Sequence, residues 1–305
     1  MNIAIALENI SKTYARGWRR QSVEALSDIS LSIPKGETFG FVGPNGAGKS
    51  TTIKILVGGL LEFSGSASLF GADVHDPKAR TGLGYVPENP SLSDYLTPLE
   101  LLEMGRRMHR CPDVENSSRK ECMLWLERFG IADVAHRQIR SFSKGMAQRT
   151  ALAHALVINP RLLILDEPLS GLDPIGRREV VDILAEYKKN GGTLFFTSHV
   201  LHDVERLADR FGLIHKGRMI AVQSPSDLLN QEQVVTVRSA GVNAMPGFVA
   251  ENAERWVAEV PREQLWKVLK DIELAGHQIV EIKPSLSLES AFFKILGRDN
   301  GMTGV

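Results

Sequence analysis

A glycine-rich segment near the start of the chain has the residue types and the spacing to bind phosphate. Gly43 and Gly48 are separated by four residues and are followed by Lys49 and Ser50, which is the pattern of a phosphate-binding loop. Glycines let such a loop wrap tightly and turn its backbone N–H groups inward. We expect Lys49 to reach the β- and γ-phosphates of a nucleotide and the Ser50 hydroxyl to bind Mg²⁺. The predicted nucleotide-binding residues of this loop are Gly43, Pro44, Asn45, Gly46, Ala47, Gly48, Lys49, Ser50 and Thr51.

Two carboxylates at the end of a short apolar run are the second group that could do chemistry. Leu162–Leu165 is typical of a buried parallel strand, and Asp166 and Glu167 follow it directly. The carboxyl ends of parallel strands meet at one edge of a sheet, so both side chains are expected beside the phosphate loop. Asp166 is suited to hold Mg²⁺, and Glu167 is suited to polarise an attacking water. The alternative is a strand that ends in solvent with two surface acids.

The segments around the glycines have the order that a phosphate loop requires. Thr38–Val42 is apolar and β-prone, which predicts a buried strand, and Ser50–Val57 carries apolar residues at helical spacing. Strand, loop and helix in this order place the positive end of a helix dipole at the phosphates. The alternative, a glycine-rich turn that matches the pattern by accident, does not predict these flanking elements.

Strands and helices alternate along most of the chain, which predicts an α/β fold with a mostly parallel sheet. Near the N-terminus, Asn2–Leu7 alternates weakly and is interpreted as an edge strand, and Ala25–Ile33 alternates with period two. Residues from about 91 to 158 show helical spacing and are interpreted as an inserted helical subdomain. From residue 223 the pattern changes to short strands with an amphipathic helix and a last helix at Leu288–Leu296, which predicts a small α+β domain over residues 223–305.

The bulk composition is that of an ordinary globular protein. The chain has 305 residues, of which 43% are hydrophobic and 24% are charged, and its formal net charge is zero. A neutral chain gives no indication of nucleic-acid binding. Cys111 and Cys122 lack metal or redox spacing and are interpreted as reduced thiols. No apolar run approaches the length of a membrane span and no signal peptide is recognised, so we expect the chain in the cytosol or at a membrane only through a partner.

Three further segments stand in a recognisable order with the loop and the carboxylates. Phe142–Arg149 reads FSKGMAQR, Ser170–Asp173 reads SGLD, and His199 follows the apolar run Thr193–Thr197. Together with Tyr14, these segments resemble in order and spacing the motifs of the ATP-binding-cassette (ABC) ATPases, the nucleotide-binding subunits of ABC transporters. The resemblance covers residues 1 to about 222.

The resemblance implies the P-loop NTPase fold of the ABC cassette, with a mostly parallel core sheet, an N-terminal antiparallel β subdomain and the helical subdomain. It implies that Tyr14 stacks on adenine, that Glu167 is the catalytic base, and that His199 contacts the γ-phosphate as Lys49 does. In the family two cassettes meet head to tail, so the signature motif contacts the nucleotide of the other subunit. The corresponding residues here are Ser143, Lys144, Gly145 and Met146, and Asp173 belongs to the D-loop.

Two motifs depart from the family pattern. Glu88 stands where the family usually has glutamine, and a carboxylate is also an oxygen ligand for Mg²⁺. The predicted metal ligands are therefore Ser50, Glu88 and Asp166. In the signature, Lys144 replaces glycine and Met146 replaces glutamine; Lys144 either adds positive charge or points to solvent, and we favour solvent. These departures are similar to those of the subgroup that drives ABC-2-type exporters, which Ser287–Gly297 (SLESAFFKILG) also resembles.

The resemblance implies an ATP-hydrolysing subunit that drives a separate membrane permease, in the export direction, from the cytoplasmic face of the cell membrane. Its partners would be ATP with Mg²⁺, the permease and a second cassette; a homodimer is allowed and a heterodimer stays open. Two alternatives are a soluble ABC ATPase that acts on ribosomes or nucleic acid, and a nucleotide-gated regulator that does not hydrolyse ATP. The neutral charge argues against the first, and only Glu88 favours the second. The role of residues 223–305 stays open between dimer contact, regulator binding and cover for a sheet edge.

Overall fold

The computed structural model describes residues 2–16, 21–111, 117–230, 234–252 and 254–284. The predicted helix at Leu288–Leu296 and the exporter-like tail at Ser287–Gly297 lie outside the described residues. The chain divides into two compact units, of which the first ends at Val222 and the second begins at Gln223. None of the helices within the described ranges combines the length and the apolar character that a bilayer crossing needs.

The described residues of the two units form strands and helices with the following bounds. The strands, in chain order, are β1 (Ile3–Arg16), β2 (Gln21–Pro34), β3 (Thr38–Val42), β4 (Ser64–Leu69), β5 (Ala72–Asp73), β6 (Leu83–Val86), β7 (Leu162–Leu165), β8 (Thr193–Ser198), β9 (Arg210–His215), β10 (Arg218–Gln223), β11 (Val234–Ala240), β12 (Val249–Ala250), β13 (Arg255–Pro261) and β14 (Gln278–Pro284). The α-helices are α1 (Lys49–Leu56), α2 (Pro98–Met108), α3 (Ser117–Arg128), α4 (Lys144–Leu156), α5 (Pro174–Lys189), α6 (Leu201–Leu207), α7 (Pro225–Asn230) and α8 (Leu265–Leu274).

Six strands of the first unit form one sheet, in the order β10-β9-β3-β8-β7-β6. The pairs β6/β7, β7/β8, β8/β3 and β3/β9 are parallel, which confirms the predicted α/β fold with a mostly parallel core sheet. Every residue of β3, β7 and β8 is buried, as expected for strands covered on both faces. The carboxyl ends of these three strands meet at one edge, where Gly43, Asp166 and His199 each follow a strand directly.

Aromatic side chains hold β3 and β8 together beneath this edge. The ring of Phe195 stacks on Phe39 with centroids 6.1 Å apart and tilts against Phe41 at 5.6 Å. Each such pair stabilises a core by about 0.5–1.5 kcal/mol beyond its buried area. The same core reaches α1 through the buried Ile53 and Ile55. The strand before the phosphate loop and the helix after it are therefore fixed to one rigid base.

The N-terminal strands form an antiparallel sheet in the order β2-β1-β4-β5. The interpretation of Asn2–Leu7 as an edge strand is wrong, because β1 pairs with β2 on one side and with β4 on the other. The alternating apolar residues of β1 mark its buried face, which includes Ile5 and Leu7. Whether β1 has one neighbouring strand or two depends on β4, which follows the phosphate loop in the chain. The sequence of β1 alone carries no information about that pairing.

Three helices, α2, α3 and α4, fall within the range interpreted as a helical insertion. Helix α2 begins with a capping box in which Thr97 and Glu100 each accept the backbone N–H of the other. Helix α4 contacts α2, α3 and β6, so it packs against both the other helices and the core sheet. Cys111 and Cys122 are both free, and burial raises the pKa of the Cys122 thiol to about 11.

The second unit contains a four-stranded sheet in the order β12-β13-β11-β14. Strand β11 pairs antiparallel with both β13 and β14. Helix α8 closes one face of the sheet around a small core that includes Val237, Ala258, Val260 and Ile272. The described part of this unit is thus an α+β arrangement with its own hydrophobic core.

Candidate nucleotide-binding site

Glycines shape the phosphate loop because a side chain would not fit at two of its positions. A Cβ atom on Gly43 would lie 2.3 Å from the carbonyl oxygen of Ile214, and one on Gly48 would lie 2.7 Å from Leu26 Cδ2. Gly48 also has a φ of 116°, in the left-handed region that favours glycine. The backbone of the loop can therefore approach its neighbours, and a bound anion, more closely than other residues allow.

The helix that follows the loop presents free backbone donors. Helix α1 begins at Lys49, and its N-cap Gly48 offers no side-chain cap. The first N–H groups of a helix have no intrahelical acceptor, and the helix dipole adds positive potential at the same end. These are the physical requirements of a phosphate site.

The Lys49 side chain connects the loop to the carboxylate pair. Its Nζ atom donates to the carbonyl oxygen of Gly43 at 2.6 Å and lies 3.4 Å from Glu167 Oε1. Both side chains are less than one-tenth exposed, at 7% and 9%. The predicted phosphate ligand and the predicted catalytic carboxylate therefore meet in one buried place.

A threonine hydroxyl that the sequence reasoning did not single out organises the two acids. Thr197, within β8, donates its hydroxyl proton to Asp166 Oδ1 at 2.6 Å and accepts the backbone N–H of Glu167 at 2.9 Å. One buried hydroxyl thus sets the direction of the Asp166 carboxylate and the backbone of the next residue. The available signal was a polar residue at the end of an apolar strand, immediately before Ser198 and His199.

One oxygen of the Glu167 carboxylate is hydrogen-bonded to His199, and the other accepts no hydrogen bond. Oε2 lies 2.7 Å from His199 Nδ1 and accepts the His199 backbone N–H at 3.3 Å, whereas Oε1 accepts no hydrogen bond. The backbone of Glu167 has a φ of 50°, which is uncommon for a residue other than glycine. Strain of this kind persists only where the surroundings hold the residue, and it concentrates at functional sites.

One open cleft collects most of the predicted loop and metal residues. It is lined by Pro44, Asn45, Gly46, Ala47, Gly48, Lys49, Ser50, Thr51, Glu88, Asp166 and Glu167, together with Val23, Glu24 and Ala25. The hydroxyl of Ser50 and the carboxylates of Glu88 and Asp166 are oxygen donors, which is the donor set that Mg²⁺ prefers. No group of three or more acidic, histidine or cysteine side chains forms a metal centre in the described ranges.

A second cavity shares Glu167 with the cleft. It is also lined by Arg177, His199 and Asp203, from the starts of α5 and α6. Burial raises the pKa of the Asp203 carboxyl, and the positive charge of Arg177 opposes this effect. Glu167 therefore has titratable neighbours in this cavity as well as in the cleft.

Tyr14 lies next to the cleft but is not among the described residues that line it. It pairs in register with Val23, which does line the cleft, and its side chain is 38% exposed. The ammonium of Lys12 lies 5.3 Å from the centre of the Tyr14 ring. The ring is thus accessible beside the phosphate loop, and its contact with adenine stays a prediction.

The signature and D-loop residues lie apart from the cleft, since none of them lines it in the described part of the chain. Ser143 is the N-cap of α4 and its hydroxyl accepts the Met146 N–H at 3.3 Å; Ser143 and Lys144 are exposed. Asp173 is the N-cap of α5 and accepts the Gly176 N–H at 2.7 Å. The α4 N-terminus is therefore an exposed, capped helix end that does not belong to the cleft of its own chain.

A mostly parallel sheet, with a phosphate loop after one central strand and an Asp-Glu pair after another, defines a P-loop nucleoside triphosphatase. The family model described as "ABC transporter" matches residues 26–170. Relatives that match nearly the whole chain are named ABC transporter ATP-binding proteins, and the chain belongs to that family. It is an ATPase of that family, which confirms the resemblance on which the sequence predictions rest.

Three similar proteins illustrate this relationship. An uncharacterised ABC transporter ATP-binding protein of Nostoc, all4389, is 34% identical over 95% of this chain and 88% of its own length. The linearmycin resistance ATP-binding protein LnrL of Bacillus subtilis is 35% identical over 90% of this chain and 86% of its own length. Among solved structures, the dimeric post-hydrolysis state of the cassette MJ0796 with ADP and phosphate is 25% identical, covers 72% of this chain and 98% of its own, and gives a TM-score of 0.66.

Proposed function

We propose that this chain binds ATP with Mg²⁺ in the cleft and uses hydrolysis to drive a separate membrane permease, in the export direction. The proposal rests on one observation: the residues expected to contact ATP lie in two separate places of the chain. Lys49 and Glu167 line the cleft and His199 contacts Glu167, whereas the signature turn Ser143–Met146 does not line the cleft. A phosphate site with one open side calls for a second cassette.

Hydrolysis requires charge neutralisation and a positioned water. Lys49 and the α1 N-terminus bind the β- and γ-phosphates, and Ser50, Asp166 and Glu88 hold the cation. Bound Mg²⁺ supplies further neutralisation of the phosphate charge. Glu167 orients the attacking water through Oε1, the oxygen that accepts no hydrogen bond in the described structure. His199 holds the other oxygen of Glu167 and contacts the γ-phosphate.

The signature turn supplies the second wall of the site from a partner cassette. An exposed helix N-terminus with the Ser143 hydroxyl and the Gly145 backbone is suited to an anion. ATP sandwiched between the two cassettes would join them, and loss of the γ-phosphate would let them part. The opening and closing of the dimer is the motion that the permease uses. The MJ0796 cassette, described as dimeric with ADP and phosphate, supports this arrangement.

The export direction and the permease are supported by the relatives. The name of LnrL describes linearmycin resistance, and that of SrtF of Streptococcus pyogenes, which is 34% identical over 75% of this chain, describes lantibiotic transport. Resistance and lantibiotic transport both suit a transporter that moves cargo outward. We place this chain at the cytoplasmic face of the membrane, bound to the permease near Glu88 and the helices α2–α4.

A pull-down from detergent-solubilised membranes of the native host tests this proposal. The bait is the tagged Glu167→Gln chain with ATP, which should bind nucleotide, dimerise and stall. We expect a stoichiometric multi-span protein in the eluate, and its loss when ATP is left out. The matched control is Lys49→Ala with ATP, which should recover neither the second cassette nor an ATP-dependent increase in the permease. Recovery of the homodimer alone, or of ribosomes or DNA, would overturn the transport role and leave the ATPase chemistry standing.

A further inference from the structure

The turn that carries Glu167 is held by three hydrogen bonds, one from β8, one within the turn itself and one from α4. Thr197 of β8 accepts the Glu167 N–H at 2.9 Å, and the Glu167 carbonyl oxygen accepts the Ser170 N–H at 3.0 Å. The third bond runs from Gln148 Nε2 to the carbonyl oxygen of Pro168 at 3.0 Å. Because the φ of Glu167 is 50°, the turn depends on such restraints to keep its shape.

Gln148 is an unusual residue for its surroundings. Its side chain is fully buried, and its amide oxygen has no hydrogen-bond partner. A buried acceptor without a partner lowers stability, so an apolar residue of similar size would be the better choice for packing alone. The amide is explained by the donor that it directs at Pro168. Pro168 has no N–H of its own, so its carbonyl is the only backbone hydrogen-bonding group through which it can be fixed.

A second contact joins the same helix to the same segment. Lys144 is the first residue of α4, and its side-chain stem lies over Gly171, where an added Cβ would be 3.1 Å from Lys144 Cδ. Lys144 is exposed, as expected, but its methylene groups also pack against the chain that follows Glu167. The start of α4 thus touches the turn at Pro168 through Gln148 and at Gly171 through Lys144.

We propose that Gln148 is a positioning residue for ATP hydrolysis. Its amide ties the Pro168 carbonyl to α4 and so keeps the Glu167 carboxylate between Lys49 and His199. The proposal rests on the catalytic role proposed above for Glu167. It makes α4, the helix that begins with the signature turn, a structural support for the catalytic base of the same chain.

Steady-state kinetics of Gln148→Met test the proposal, because methionine keeps the length and volume but removes the donor. We expect kcat to fall by roughly tenfold, as for loss of one positioning hydrogen bond. The KM for ATP should stay within about twofold, because the loop and Lys49 are untouched. Thr150→Val is the matched control: Thr150 is also fully buried on α4 and loses its hydroxyl bond to the Met146 carbonyl at 2.8 Å, but it does not touch the turn. Its kcat should stay within about twofold of the parent.

The dependence on Glu167 separates positioning from general damage. In a Glu167→Gln background, Gln148→Met should cause no further loss of rate, because the group that it positions is already absent. Melting temperatures of all variants are measured alongside, and Gln148→Leu replaces the methionine variant if that protein does not fold. A parent kcat in Gln148→Met, an equal fall in Thr150→Val, or additive losses in the double variant would each overturn the proposal. Parent activity in Glu167→Gln alone would instead overturn the role of Glu167, so the two failures are distinguishable.

Discussion

The phosphate loop and the signature turn use the same structural device, a helix N-terminus, in two different states. At the start of α1 no side chain caps the helix, and the cationic Lys49 is buried beside it. At the start of α4 the Ser143 hydroxyl already caps the helix, and both Ser143 and Lys144 are exposed. The first end is therefore built to bind an anion within its own chain. Under the proposal, the second end binds an anion only when another cassette brings a nucleotide to it.

Replacement of Lys49 should have the largest effect on activity, because it removes the positive charge that distinguishes the start of α1 from the start of α4. We expect Lys49→Ala to lower ATPase activity by at least about 100-fold, as for loss of a preorganised electrostatic contact. The measurement is phosphate release at saturating ATP. Lys144→Ala, which removes a lysine from the exposed helix end, is the control and should retain most of the activity. Similar losses in both variants would show that the two ends are not used differently.

The tight packing of the loop gives the next largest effect. Gly43→Ala would place a Cβ 2.3 Å from the backbone oxygen of Ile214, so the loop or β9 must shift. Overpacking of this kind lowers the free energy of unfolding by about 1–3 kcal/mol and should also weaken ATP binding. The control is Gly59→Ala, just after α1, where the nearest atom would be 3.5 Å away. Thermal unfolding with and without ATP compares the two; equal behaviour would mean that the loop adapts.

The parts of the site that were predictable from the sequence are those with local backbone requirements. The phosphate loop occupies nine consecutive residues, Gly43–Thr51; a close contact requires glycine at Gly43, a positive φ favours it at Gly46, and both apply at Gly48. Asp166 and Glu167 follow a short apolar run, and the rule that parallel strands end at one edge brings them to the loop. Both inferences need no knowledge of distant partners.

The parts that could not be predicted depend on pairings between distant segments. The Thr197 hydroxyl contacts Asp166 across 31 residues, and the Gln148 amide contacts Pro168 across 20 residues. Neither contact can be predicted before β8 is placed beside β7 and α4 is placed beside the turn that carries Glu167. The error at β1 has the same cause, since the second neighbour of that strand, β4, comes from beyond the loop.

Ser143 can test two roles of the signature turn, because it caps its own helix and we propose that it also contacts a nucleotide held by another cassette. Ser143→Ala should lower the free energy of unfolding by about 1 kcal/mol through loss of the cap. Its ATPase activity should fall by roughly tenfold if the hydroxyl also contacts a phosphate. Ser143→Gly is the informative partner, because glycine at an N-cap costs only a few tenths of a kcal/mol. A stable glycine variant with parent activity would restrict Ser143 to capping.

The smallest expected effect concerns a buried carboxylate that belongs to neither helix end, that of Asp203 on α6. Asp203, near Glu167, is 7% exposed, and burial raises the pKa of its carboxyl above the ordinary value of 3.8. A raised pKa means that the folded protein disfavours the ionised form, so this carboxyl lowers stability as pH rises through the raised value.

Asp203→Asn should therefore raise the melting temperature at pH 7.5 by about 1–2 °C, and the gain should shrink as pH falls toward 3.8. Lys144→Met, at the exposed helix end, should show no such pH-dependent gain, because an exposed charge carries little desolvation cost. Calorimetric scans across this pH range compare the two variants with the parent. A gain in Asp203→Asn that is constant with pH would mean that packing, and not the buried charge, is responsible.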